Sequence, residues 1–412
     1  MSKKSERQQK KLLENKMDST ESITDFSDSI SKLCTEINKK ISDGGDGGAY
    51  LLGRGDSPTE IPFFISTGST ILDTIIANKE GGGVPVGRVT EIYGEPSTGK
   101  SLLANHILAN TQKLGGLAVL IDTESATSPD FLRTIGVDLK NLIWINVQTV
   151  EKVFETIETI VAKVDTLKPK FVTIVWDSLA ATSDSVEMEG EYEASGYGMN
   201  KAKMLSKGFR KITQFIAQKK IALVVTNQVR SNIGVMFGEK TSTPGGWALP
   251  FYCSLRLKVS RNGYLKEKLE RNGKTIEETR GVSAKVTIKK SRIAPPFREC
   301  SFNIYFNRGI DDKDSWFEAL VARDAISRPT TQKYLLKTAD GREFEFKKSE
   351  WKNVVKDNNL DDEIRKLVID SHIVKYDAFE PDAEPEFPDQ VDVEEVVDAP
   401  VVEQDIIVNP ED

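Results

Sequence analysis

The run Gly94-Glu95-Pro96-Ser97-Thr98-Gly99-Lys100-Ser101 spaces two glycines, a lysine and a hydroxyl as G-x-x-x-x-G-K-S. This is the pattern of a loop that cradles phosphate groups. The glycines let the backbone curl until several N–H groups converge, and a following helix adds the positive end of its dipole. Lys100 supplies a point charge for the outer phosphates and Ser101 a hydroxyl for magnesium. A strand-like run, Arg88-Val89-Thr90-Glu91-Ile92-Tyr93, precedes the loop, and a helix-like run, Leu102-Leu103-Ala104-Asn105-His106-Ile107-Leu108, follows it. That is the context the pattern needs. The bland reading, a glycine-rich turn that happens to precede a lysine, does not account for it.

Hydrolysis of a bound triphosphate also needs a carboxylate for the metal and a group to orient water. Phe171-Val172-Thr173-Ile174-Val175-Trp176-Asp177 is a buried-strand run that ends in Asp177, a candidate for holding magnesium with Ser101. Leu120-Ile121-Asp122-Thr123-Glu124 places two carboxylates at another strand end. Ligands of doubly wound sheets sit at the carboxyl ends of strands. Glu124 is therefore the candidate general base and Asp122 its rival; either could instead cap the following turn. Gln228 ends a third strand, where a carboxamide can sense a phosphate and its water. Beyond it runs Val229-Arg230-Ser231-Asn232-Ile233-Gly234-Val235-Met236-Phe237-Gly238, then polar residues to Pro244-Gly245-Gly246. Apolar side chains in a Gly-bounded stretch beside Arg230 suit contact with unstacked bases and phosphates. A buried connector fits the same composition equally well.

Composition narrows the setting. The 412 residues leave room for one large domain and one or two small ones. No uncharged apolar run reaches the roughly 18 residues of a membrane span. Met1-Ser2-Lys3-Lys4-Ser5-Glu6-Arg7 has no secretory apolar segment after it. A cytoplasmic protein with no membrane partner is expected. Cys34, Cys253 and Cys300 match no zinc spacing and read as reduced buried thiols. His106 and His372 are the only histidines, which leaves little scope for histidine catalysis. Basic residues number 56 and acidic residues 63, but 14 of the acidic ones lie between Tyr376 and Asp412, so the rest of the chain is net basic. A basic body with an acidic tail suits an anionic partner and a tethered competitor for its site. A purely solubilising tail fits as well.

Four segments must position these residues. Residues 1–61 form an N-terminal arm, with Ile30, Leu33, Ile37 and Ile41 on one helical face and a short apolar patch at Ala49-Tyr50-Leu51-Leu52. Such a piece needs the main domain or a neighbouring subunit to cover it. Residues 62–310 alternate strands (89–93, 117–121, 142–147, 171–176 and 221–226) with helices, the rhythm of an α/β fold with a mostly parallel central sheet. Residues 251–259 and 283–289 then read as alternating strands, with hairpin turns expected at Asn262-Gly263 and Asn272-Gly273. A further strand covers 300–306, so the sheet is expected to end in antiparallel hairpins. Residues 311–375 form a small α+β unit with helices over 316–325 and 361–372 and a strand over 341–346. Residues 376–412, with five prolines and few large apolar groups, read as a disordered tail.

These motifs together resemble the RecA family of homologous recombinases. The resemblance rests on Gly94 through Ser101, Ile121-Asp122-Thr123-Glu124, Val175-Trp176-Asp177-Ser178, Asn227-Gln228-Val229-Arg230, the run from Ile233 to Gly238, Gly245-Gly246 and Ile293-Ala294-Pro295-Pro296-Phe297. It spans residues 66–309. It implies a RecA-type P-loop core with small N- and C-terminal units, and a DNA-dependent ATPase using ATP and Mg2+. Lys100 and Ser101 would bind phosphate and magnesium, Glu124 would activate water and Asp177 would support the metal. Gln228 would link the γ-phosphate to the loop 229–243. That loop and a shorter one, 187–198, would bind DNA. Met236 and Phe237 fall where the family inserts apolar side chains between base triplets. Lys203, Ser206 and Arg210, spaced 3 and 4 apart, would share a helix face towards the DNA backbone. Lys290 and Arg292 match basic residues that reach the neighbouring subunit's ATP, and Phe131 falls where an aromatic stacks on adenine. The N-terminal helix and Ala49-Tyr50-Leu51-Leu52 would dock on the adjacent protomer.

The chain also departs from the bacterial pattern. Ser128 stands in place of an Asp near adenine, Trp247 in place of a polar residue, and Pro250 in place of a Lys. The shorter loop, Glu187-Met188-Glu189-Gly190-Glu191-Tyr192-Glu193, is strongly acidic for a DNA contact. These departures and the C-terminal unit are more similar to a phage, UvsX-like recombinase than to a bacterial housekeeping protein. The implied function is filament formation on single-stranded DNA and strand exchange with homologous double-stranded DNA, in a bacterial or phage-infected cell. Single-strand-binding and mediator proteins are the implied further partners. The rival readings are a RecA-fold ring helicase and a non-catalytic, DNA-binding recombinase paralogue.

Overall fold

The computed structural model describes residues 28–41, 48–51, 57, 59–189, 197–231, 241–271 and 274–376. Ile233, Met236 and Phe237, most of the shorter loop, the basic arm before residue 28, the Asn272-Gly273 turn and the tail beyond Tyr376 lie outside the described residues. Contacts group the chain through Ile373 as one unit and Val374–Asp412 as another.

Helix α1 covers 28–41. Its Leu33, Ile37 and Ile41 are exposed. Strands β1 (Phe64–Ile65) and β2 (Val84–Pro85) form a short antiparallel pair around helix α2 (Thr70–Ala77), which Ser69 caps. The alternation then begins with β3 (Val89–Gly94), α3 (Lys100–Lys113), β4 (Leu117–Asp122), α4 (Pro129–Thr134) and β5 (Leu142–Ile145). It continues with α5 (Val150–Leu167), β6 (Val172–Asp177), α6 (Ser185–Glu189), α7 (Tyr197–Gln218) and β7 (Ile221–Gln228). Two short strands, β8 (Arg230–Ser231) and β9 (Thr241–Ser242), pair at the base of the loop. Helix α8 (Ala248–Tyr252) leads into β10 (Leu255–Arg271), β11 (Lys274–Ser291), β12 (Glu299–Tyr305) and β13 (Gly309–Asp311).

One sheet carries nine strands in the order β13-β12-β11-β10-β3-β7-β6-β4-β5. From β10 to β5 every neighbouring pair is parallel, and β11, β12 and β13 add on antiparallel. The expected mixed sheet is therefore present. Residues along β3, β6 and β7 are buried on both faces, which is why those strands read as near-continuous apolar runs. Helices α2 and α3 cover one face, and α5 and α7 the other. Leu205, Phe209, Ile212 and Ile216 recur every 3 or 4 residues along α7 and are fully buried. Gly208 lets α5 come close, since a Cβ there would stand 2.2 Å from the Phe154 ring.

Two local expectations are corrected. Asn262-Gly263 is not a turn: β10 runs through it, and the pairing with β11 only shifts register between Arg261 and Gly263. The Asn-Gly preference for positive φ is absorbed as a bulge, because ladder bonds on both sides keep the strand extended. The strand expected over 251–259 begins only at Leu255, and the residues before it form α8. Pro250 sits in the first turn of that helix, where a missing N–H costs nothing.

The remaining elements are α9 (Asp312–Val321), β14 (Ile326–Ser327), β15 (Tyr334–Lys337), β16 (Glu343–Phe346), α10 (Trp351–Asp357) and α11 (Asp361–His372). Their Trp316, Phe317, Leu336, Phe346, Trp351 and Ile364 join the same apolar cluster as the α2–α3 face of the sheet. Asp312 at the start of α9 accepts bonds from the Thr70 N–H (2.9 Å) and hydroxyl (2.5 Å) on α2.

Candidate nucleotide site and its surroundings

The loop after β3 is held by backbone contacts that only glycine permits. A Cβ on Gly94 would fall 2.0 Å from the Val259 carbonyl oxygen of β10. Gly99 is left-handed, with φ +98°, and opens α3 with no side-chain cap. A helix of 14 residues thus presents its first N–H groups to the loop with no side-chain acceptor of its own. Glu95, Pro96 and Ser97 are exposed and Thr98 is buried. The Thr98 hydroxyl (2.9 Å) and Lys100 Nζ (2.6 Å) both donate to the Glu95 carbonyl. Burial pulls the Lys100 ammonium below its ordinary value, while Asp177, Glu124 and Glu95 pull it back up. This cradle fits a chain of phosphates.

Asp177 ends β6 beside it. Its carboxylate accepts from Thr226 Oγ1 at 2.5 Å and from the Ser101 hydroxyl. Burial pushes the Asp177 carboxyl up, and the nearby charges of Glu124 and Asp122 push the same way. A hydroxyl and a carboxylate in contact are the oxygen donors magnesium takes beside phosphate oxygens, although no group of three or more His, Cys, Asp or Glu among the described residues is placed to hold a metal by itself. The structure thus brings Lys100, Ser101 and Asp177 together.

The two carboxylates at the end of β4 differ. Asp122 is 2% exposed and fully engaged. Its Oδ1 accepts from the Glu124 N–H (3.2 Å), and its Oδ2 from the Thr127 N–H (3.2 Å) and Trp144 Nε1 (3.4 Å). It caps the turn. Glu124 is exposed, and its Oε1 accepts from Ser178 Oγ at 2.6 Å. Of the pair, Glu124 is the one whose carboxylate can reach a water. Gln228 lies directly opposite Gly94 in the β3–β7 pairing, and the Val229 N–H bonds the Gly94 carbonyl at 3.3 Å. The strand that flanks the phosphate loop therefore continues straight into the loop 229–243.

Lys290 and Arg292 stand elsewhere. Lys290 pairs with Arg256, which is level with Glu91, three residues short of Gly94. Three residues is about 10 Å along the strand, and two strand steps add about 10 Å across the sheet. Lys290 Nζ instead donates to the Pro250 (2.7 Å) and Phe251 (3.0 Å) carbonyls at the end of α8. Burial, then the Arg292 charge, lowers its ammonium. Trp247, in the same corner, is 89% exposed. Phe131 sits on α4, partly buried against the apolar core, with Ser128 as the helix cap. On α7, Lys203 and Arg210 are exposed and Ser206 is half-buried. Arg230 is exposed on β8. Gly245 and Gly246 have φ +97° and +68°; a Cβ on Gly245 would press to 2.8 Å of Leu205 on α7.

Sequence reasoning missed several residues. Ser178 and Thr226 hold Glu124 and Asp177, yet a lone hydroxyl beside a carboxylate is too common to signal this. Glu91 carried a usable signal, since it is a carboxylate inside a strand buried on both faces. It is 0% exposed and meets Arg256 Nε at 2.5 Å. Burial pushes the Glu91 carboxyl up, and Arg256 and Asn227 act against that; the same contact raises Arg256.

The family profile described as the RecA N-terminal domain matches residues 29–311. The chain belongs to the RecA family. It is 35% identical to the RecA protein of Rubrobacter xylanophilus over 304 residues, covering 74% of this chain and 82% of that protein. It is 37% identical to RecA of Symbiobacterium thermophilum over 288 residues, covering 69% and 76% respectively. For RecA of a Chelativorans species the figures are 38% over 292 residues, 70% and 75%. The RecA-family match takes in the whole nine-stranded sheet and stops at the start of α9. No helix among the described residues is long and apolar enough to cross a membrane.

Proposed function

We propose that this RecA-family chain is a DNA-dependent ATPase that assembles as a helical filament on single-stranded DNA and exchanges strands with homologous duplex. The observation that carries the proposal is the split between the phosphate loop and its basic partners. Lys100, Ser101, Asp177 and Glu124 gather at one end of the parallel strands, while Lys290 lies level with Glu91 and away from its own loop. Lys290 and Arg292 then act on the loop of the next copy.

Two open surfaces support contact between copies. Strand β5 ends the sheet, with Ile143 and Trp144 42% and 51% exposed. Helix α1 carries the exposed face of Leu33, Ile37 and Ile41. An apolar helix face and an open strand edge on one chain are complementary requirements.

Lys100 and the N–H groups at the start of α3 bind the phosphates of ATP, with Phe131 near the base. Ser101 and Asp177 hold magnesium, which when bound offsets charge on the outer phosphates. Glu124 accepts a proton from water, and Ser178 holds its carboxylate in place. Gln228 senses the state of the loop beside it. Lys203, Ser206, Arg210, Arg230, Ile233, Met236, Phe237, Gly245 and Gly246 form the DNA surface, with stacking and phosphate contacts giving sequence tolerance.

The finer, UvsX-like assignment rests on Ser128, Trp247, Pro250 and the C-terminal unit; the three relatives above are bacterial. Single-strand-binding and mediator proteins are the further partners in this reading. Turnover measured with and without single-stranded DNA, alongside a duplex-unwinding assay, tests it. Stimulated turnover with no unwinding is expected. Unwinding would favour a ring helicase, and absence of turnover a non-catalytic paralogue.

A further inference from the structure

The side chain of Asn227 touches both feet of the loop that Gln228 enters and Pro244 leaves. Its Oδ1 accepts from the Gln228 N–H at 3.0 Å. Its Nδ2 donates to the Pro244 carbonyl at 3.2 Å and to Glu91 Oε1 at 3.1 Å. Asn227 is 0% exposed, as is Glu91. Every polar atom of this carboxamide is therefore used, and three separate segments meet on it.

Glu91 reinforces the orientation that the Gln228 N–H and the Pro244 carbonyl select for the carboxamide. An ionised carboxylate accepts and does not donate, so it too selects Nδ2, and Oδ1 is left to face Gln228. A buried carboxylate needs a partner to stay ionised. Arg256 provides one, with Nε at 2.5 Å from Glu91 Oε2 and the guanidinium stacked 4.6 Å from the Tyr93 ring centroid. Tyr93 precedes Gly94, and Glu91 lies in the same strand. The exit foot is seated too, because Gly245 and Gly246 pack against Leu205, Leu179 and Ala202. An apolar side chain at position 91 would satisfy the strand and leave Asn227 Nδ2 with the Pro244 carbonyl alone.

We propose that Asn227, braced by the Glu91–Arg256 ion pair, is a positioning residue that clamps the two feet of the loop and ties its geometry to the phosphate-loop strand. This rests on the reading that the loop binds DNA and responds to nucleotide. Gln228 remains the group that meets the nucleotide; Asn227 fixes what moves with it.

The test compares the parent with Asn227→Ala and Glu91→Gln. Amide exchange at Gln228 to Ser231 and Thr241 to Ser242 is read without DNA. Affinity for a labelled oligothymidylate is read by anisotropy with and without a non-hydrolysable ATP analogue, and nucleotide affinity with a fluorescent ATP analogue. Asn227→Ala is expected to speed exchange at both feet by about tenfold. It is also expected to remove about tenfold of the analogue-induced gain in DNA affinity while nucleotide affinity holds. Glu91→Gln shifts both readouts the same way by less, and it decides the matter if the alanine variant does not fold. Unchanged exchange at the feet overturns the proposal, and so does a fully retained gain. If the parent itself shows no gain with the analogue, the DNA reading of the loop fails, and exchange at the feet still decides the clamp.

Discussion

At the residue scale the site turns on two carboxylates, two positions apart, with different surroundings. Asp122 is tied by three donors, and Glu124 by Ser178. Glu124→Gln should therefore lower turnover by about a hundredfold or more while nucleotide affinity stays level, checked by phosphate release against nucleotide titration. Turnover unchanged would remove Glu124 from the chemistry. The sequence left Asp122 and Glu124 as rivals because both lie at a strand end and either could cap the following turn; Trp144, which also engages Asp122, comes from β5, which no local pattern links to it. His106 gives a second prediction. Its Nε2 accepts from the Ile310 N–H at 3.1 Å, and burial holds the imidazole down at about 4, against an ordinary 6.5. The unfolded chain thus binds a proton first as pH falls. The stability His106 contributes is present above about 6.5 and is lost as pH drops towards about 4. The fall in Tm between those values should be smaller in His106→Gln, whose side chain can still accept from Ile310. An equal fall would mean that other groups, His372 among them, carry the effect.

At the element scale α7 has an inner face of Leu205, Phe209, Ile212 and Ile216 and an outer face with Lys203 and Arg210. If Lys203 and Arg210 each neutralise one phosphate, replacing either with Ala should flatten the dependence of log affinity on log salt by about 0.7 for single strands. Nucleotide binding should not change. A salt slope equal to the parent's would take α7 off the DNA. The alternation of strands and helices was legible because buried parallel strands read as apolar runs and the covering helices carry a 3.6-residue stripe. The sheet's far half was less so. Asn262-Gly263 reads as a turn locally, and only the continued pairing of β10 with β11 keeps it extended. The Glu91–Arg256 contact was hidden for the same reason. It exists only because β10 lies parallel to β3 in the register that sets Arg256 beside Glu91.

At the scale of the whole molecule, the proposed function divides one hydrolytic site between two places on the chain. The phosphate loop, Asp177 and Glu124 were readable as motifs, and the structure gathers them. The resemblance implied that Lys290 and Arg292 reach a neighbouring subunit, but how far Lys290 stands from its own loop was not readable, because distance across a sheet depends on strand order and register. A mixture of two crippled proteins tests most directly whether a second copy completes the site. Glu124→Gln keeps the basic pair, and the double variant Lys290→Ala with Arg292→Ala keeps the carboxylate. Each should be nearly inactive alone on single-stranded DNA. Mixed in equal amounts on one strand, about a quarter of the joints would pair an intact loop with an intact basic pair. If a second copy completes the site, ATP turnover reappears in the mixture at about that fraction of the parent rate. A mixture no more active than its two components would contradict it.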